Sequence, residues 1–136
     1  MGGTGALRFN SEGTVISAYS ILKNTSRNCS GGTTPWQTWL SCEEVERGYV
    51  WECDPFGKNK AQARPELGCF RHEAIAFDVN RNKVYLTEDE PDGCLYRFTP
   101  YEILDSGHVS LDEGFLEVAE VVVSQQARMI QWHRLP

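Results

Sequence analysis

Runs of strand-forming residues punctuated by turn residues recur from one end of the chain to the other. Residues 6–9 and 14–22 flank Asn10-Ser11-Glu12-Gly13, a hairpin signal. Residues 39–42 and 49–53 flank a polar stretch at 44–48, and 74–79 and 84–87 flank Asn80-Arg81-Asn82. The run 94–98 follows the turn Pro91-Asp92-Gly93, and 115–123 is a last apolar run. Two longer segments, 23–38 and 55–68, carry no strand signal; the second reads as a surface loop holding Lys58, Lys60 and Arg64. The tail to Pro136 is ambiguous, and 125–132 within it reads as a short helix. The pattern predicts an all-β antiparallel meander.

A repeat runs through this meander. When 39–55 is laid over 84–100, Glu43 falls on Glu88, Glu44 on Asp89, Gly48 on Gly93, Val50 on Leu95, Trp51 on Tyr96 and Pro55 on Pro100. The register is ungapped, and the period is the 45 residues from Glu43 to Glu88. Arg8-Phe9 precedes Arg97-Phe98 by roughly two further periods. Repeats of about 40 to 50 residues built of four short strands are the signature of β-propeller blades; a β-sandwich with accidental similarity is the competing architecture. The expectation is that residues 1–136 form a partial β-propeller of two to three blades, each a four-stranded antiparallel sheet, with 101–136 a poorly matched tail. A ring closes with roughly 4 to 8 blades. The chain is therefore expected to be a fragment of a longer protein, or to need missing blades or self-association to close.

Composition narrows the partners. At 136 residues with 40% apolar content, the chain is one domain's worth at most and can pack a core. Thirteen basic residues against 19 acidic ones give a net charge of −6, which argues against a nucleic-acid groove. No stretch approaches the ~18 to 20 apolar residues of a membrane span. The opening MGGTGALRFN lacks the basic segment and apolar run of a secretory signal. None of the five cysteines lies three residues from another, so no Cys-x-x-Cys hook exists, and five are too few to define a disulfide scaffold.

The repeat places acids at equivalent points. Glu43-Glu44 and Glu88-Asp89 each leave a strand, where equivalent positions of a propeller share one rim, and Glu73 opens another strand after His72. Gathered carboxylates repel unless a cation lies among them, and hard oxygen ligands suit calcium, magnesium or a ferric ion; taken singly, strand-exit acids are solvated turn residues. Cys42 stands where the other repeat has Thr87. Neighbouring acids would raise its thiol pKa, whereas a metal would bind the thiolate outright; the bland reading is a small buried hydrophobe. Cys29, Cys53, Cys69 and Cys94 carry no specific spacing and read as structural. Gly31-Gly32-Thr33-Thr34 offers a tight turn, or a backbone able to approach an anion closely.

The run Asn28-Cys29-Ser30-Gly31-Gly32-Thr33-Thr34-Pro35-Trp36-Gln37-Thr38-Trp39-Leu40-Ser41-Cys42-Glu43-Glu44 closely resembles the hallmark of PhoX-type alkaline phosphatases. So do Arg71-His72-Glu73-Ala74 and Tyr85-Leu86-Thr87-Glu88-Asp89-Glu90, in the same order and spacing. The resemblance covers most of 6–100. It implies a β-propeller phosphatase hydrolysing phosphate monoesters at an axial site of iron and calcium. It also implies Cys42 as the iron's thiolate ligand, Glu43 and Glu73 as carboxylate ligands, and Glu88 and Asp89 as further ones. Thr33 and Thr34 would shape the substrate-binding rim. Export to the periplasm or beyond is a further implication, although this stretch of sequence contains no such signal. Two other readings stand beside it: a non-catalytic propeller that binds through its rim, and a truncated product whose motifs are relics.

Overall fold

The computed structural model describes residues 2–104, 107–124 and 126–136. The fold is all-β: among the described residues there are eleven strands in three antiparallel sheets and one short 3-10 helix at Pro65–Leu67. Strands β1 (Gly2–Phe9) and β2 (Val15–Thr25) form a hairpin. Strands β3 (Asn28–Thr33), β4 (Trp39–Glu43), β5 (Val50–Cys53) and β6 (Gln62–Ala63) form a four-stranded sheet in sequence order. The third sheet runs through β7 (His72–Asp78), β8 (Lys83–Glu88), β9 (Leu95–Pro100), β10 (Gly114–Val123) and β11 (Arg128–Arg134), again each strand beside its neighbour in sequence.

The turn chemistry explains the hairpins. The Asn10 side chain accepts the Glu12 and Thr14 amides at 3.0 and 2.9 Å, and Gly13 takes φ +80°. Asn82 at φ +51° closes the β7–β8 turn. Three expectations are corrected. Residues 23–38 carry β3, a strand of small and polar residues that an apolar pattern does not reveal. The 125–132 segment is no helix where described: Arg128–Arg134 pairs with β10, Val121 facing Ile130 and Ala119 facing Trp132. Residues 55–68 are not loop throughout, since Gln62–Ala63 pairs with β5, and the Arg64 side chain that follows is 15% exposed and bonded to Glu52 and Asp112 at 2.6 Å.

The four- and five-stranded sheets meet through β3 and β4 against β7. Their shared core is Leu40, Cys42 and Val50 from one sheet and Ile75, Val84, Leu86 and Phe98 from the other, with Leu67, Val109 and Leu111 closing its edges. Gly32 permits the contact: a Cβ there would land on the Ile75 carbonyl oxygen of β7. The β1–β2 hairpin leans on the four-stranded sheet through Thr4–Ser41 (2.8 Å) and Tyr19–Pro55 (2.7 Å).

Candidate metal centre

The 45-residue repeat is present in the hydrogen bonding. Glu43 Oε2 accepts the Tyr49 amide (3.1 Å) and the Trp51 indole (2.9 Å). Glu88 Oε2 accepts the Cys94 amide (3.2 Å) and the Tyr96 hydroxyl (2.9 Å). Each carboxylate thus locks its own hairpin, which is why glutamate and a polar-tipped aromatic recur together. The preceding strands repeat as well. The Glu44 amide donates to the Arg27 carbonyl and the Asp89 amide to that of Arg71, both at 3.0 Å. The register of β3 shifts between Asn28 and Gly31, so Cys29 and Ser30 both oppose Cys42. That of β7 shifts between His72 and Ile75, so Glu73 and Ala74 both oppose Thr87. Two β-bulges therefore occupy equivalent places, and bulges re-aim side chains.

The residues at the bulges face one another. Cys29 Sγ lies 3.5 and 3.6 Å from the two Glu73 carboxylate oxygens. Glu44, at the exit of β4, completes the group: one ligand atom from each of Cys29, Glu44 and Glu73 falls within 4.8 Å of the others. Desolvation, hydrogen bonds to Glu44 and Glu73, and then their charges raise the Cys29 thiol pKa. Without a cation the thiol stays protonated beside its acids; a multivalent cation reverses that preference. The donor set fits such an ion. A thiolate suits a transition metal, and two carboxylates suit a hard cation such as calcium.

The residues singled out from the sequence fall in several places. Glu73 is in the group. Cys42 lies behind it in the core at 0% exposure, its thiol pushed up to about 12 by burial and then by the charges of Cys29 and Glu73. Glu43 is 7% exposed, with both carboxylate oxygens already bonded, and Glu88 holds its hairpin. Asp89 is exposed at the exit of β8. Thr33 ends β3 and Thr34 follows it, at the far end of the strand from Cys29. The Thr34 hydroxyl is engaged in its own turn, with the Thr38 hydroxyl at 2.8 Å and the Thr38 amide at 3.0 Å. Cys29 escaped the reading of the sequence, although a signal existed. With 27–30 laid over 71–74, Arg27 falls on Arg71 and Cys29 on Glu73.

His72, beside Glu73, is buried. Its Nε2 lies 3.2 Å from the Gly68 carbonyl, its ring lies 3.8 Å from that of Phe70, and burial lowers its pKa to about 4. The imidazole is neutral at pH 7 and packs the base of β7.

No curated protein and no solved structure matches this chain. The family model described as alkaline phosphatase PhoX matches residues 3–48 and 45–136, through the segment after Pro100 where the motifs give little. That family is one of metal-dependent phosphatases. Since the match spans nearly the whole chain, the protein belongs to the PhoX alkaline phosphatase family.

Proposed function

We propose that this chain contributes the metal-binding part of a β-propeller phosphomonoesterase, with Cys29, Glu44 and Glu73 as ligands. The observation that carries the reading is the convergence of a thiol and a carboxylate from two repeated bulges with a second carboxylate from the exit of β4, in a member of a phosphatase family. The successive antiparallel sheets stacked through their first strands support a propeller arc. Iron belongs on the thiolate side and calcium on the carboxylate side. Cys42, Glu43 and Glu88 serve the core and the hairpins, and Asp89, the repeat counterpart of Glu44, is held for a further cation.

Phosphate-monoester hydrolysis is extremely slow unaided. Multivalent cations bound here supply positive charge to the ester and lower the pKa of nearby water. The chain's own residues hold and aim. The bulges point Cys29 and Glu73 at each other, and Arg27, 3.7 Å from Glu44, steadies that carboxylate. Glu44 and Glu73 could supply only some of the roughly six to eight oxygen ligands that calcium takes, so a calcium ion held here would need further oxygen donors.

Metal analysis of the purified chain and its cysteine variants tests this. Cys29→Ser is expected to abolish iron retention. Cys42→Ser is expected to keep the iron while losing about 1–3 kcal/mol of stability, through a hydroxyl buried in an apolar core. Iron lost on Cys42→Ser and kept on Cys29→Ser would return the thiolate role to Cys42. Retained metal without turnover of p-nitrophenyl phosphate in added calcium would identify a binding arc rather than an enzyme.

A further inference from the structure

We propose that Glu43 is a positioning residue for the metal centre: its carboxylate fixes the separation of Cys29 and Glu44 by tying the corner before β3 to the β4–β5 hairpin. This rests on the metal-centre reading above. Locking the hairpin needs only Glu43 Oε2, as the twin carboxylate of Glu88 shows with Cys94 and Tyr96. Glu43 makes one further bond with no counterpart at Glu88 among the described residues: its Oε1 accepts the Ser26 amide at 2.8 Å.

That bond lands on an unusual corner. Arg27, next along, takes φ +41°, and Asn24 takes φ +63°, a region non-glycine residues seldom adopt. Such a conformation persists only where its surroundings over-determine it. The same corner places both ligands. The Arg27 carbonyl receives the Glu44 amide, the Arg27 guanidinium faces the Glu44 carboxylate, and Cys29 follows two residues later. In the second repeat, Arg71 is not among the described residues of positive φ. The additional bond therefore occurs where a strained corner has to hold a thiol and a carboxylate together.

The test uses the full chain with Co(II) as the probe metal, read by the thiolate-to-cobalt absorption and by titration. In Glu43→Gln the amide NH2 must face either the Ser26 N–H or the Tyr49 and Trp51 donors, so one contact becomes donor against donor. Cobalt affinity is expected to fall roughly tenfold to a hundredfold, the usual effect of losing a residue that orients ligands. Glu88→Gln makes the same change in the twin hairpin. It is expected to lower thermal stability similarly and leave cobalt affinity unchanged, which separates positioning from a general loss of stability. Trp51→Phe removes one donor and keeps the carboxylate, so it serves if Glu43→Gln fails to fold. Weaker cobalt binding supports positioning; unchanged or tighter binding, as a freed ligand oxygen would give, overturns it. A thiolate band lost in Cys29→Ser together with wild-type cobalt affinity in Glu43→Gln sinks this inference alone. A wild-type chain without that band sinks the metal centre and this inference with it.

Discussion

Burial alone would raise the Glu52 carboxyl, yet hydrogen bonds from Thr38, Trp36 and Arg64 and the charge of Arg64 hold it below its ordinary value of 4.5. Both oxygens are used, Oε1 by Trp36 and Thr38 at 2.6 Å and Oε2 by Arg64 at 2.6 and 2.8 Å. Because the folded pKa lies below the unfolded one, the stability Glu52 contributes is present above about pH 4.5 and lost as the pH falls through the folded value. Glu52→Gln should therefore be less stable at neutral pH yet show a shallower acid limb in urea titrations, and an unchanged limb would remove Glu52 from the account. Residue chemistry of this kind was legible only in part. The sequence pointed to acids at strand ends but not to which way each faces. Adjacent strand residues point to opposite faces, so Glu43 and Glu44 cannot share one role, and only the fold says which of them turns inward.

At the scale of elements, the site depends on two strands from different sheets lying close together. The hairpins with explicit turn chemistry, at Asn10–Gly13 and at Asn80–Asn82, were readable because turn residues announce themselves locally. Strand β3 was not, since its Cys-Ser-Gly-Gly-Thr run owes its place to close packing rather than to apolar side chains. Strand β11 was hidden for the opposite reason: among the described residues it pairs with β10 alone and is mostly exposed, so its pattern lacks a buried face. Gly32→Ala tests the close approach. A methyl group must push the Ile75 carbonyl away and part β3 from β7, at a cost of about 1–3 kcal/mol. Separation from Glu73 also removes one cause of the raised Cys29 pKa. The pH profile of Cys29 alkylation, followed by peptide mapping, should shift to lower pH in this variant. A profile identical to wild type would show that β3 and β7 tolerate the change without moving apart.

For the whole molecule, the repeat seen in the sequence corresponds to two sheets with one core between them, and this makes a demand on cooperativity. Leu86 belongs to the five-stranded sheet and is fully buried, while Cys42 and Cys53 belong to the four-stranded sheet and are equally inaccessible. Leu86, Leu40 and Cys42 are members of a single cluster, so a cavity on one side is felt on the other. Leu86→Ala should cost about 2–5 kcal/mol, and the loss should appear as faster thiol labelling at Cys42 and Cys53, far along the chain from the substitution. Where opening is fast relative to labelling, the rate follows the open population, and about 1.4 kcal/mol corresponds to a tenfold change. A loss of 2 kcal/mol or more should thus accelerate both thiols by more than about tenfold. The same factor should govern loss of the Cys29-dependent metal signal, because Cys29 and Glu73 come from opposite sides of the shared core. If Leu86→Ala destabilises the five-stranded sheet while Cys42 and Cys53 keep their wild-type protection, the two sheets are separate cooperative units. The proposed metal centre would then be a contact between them rather than a product of their common packing.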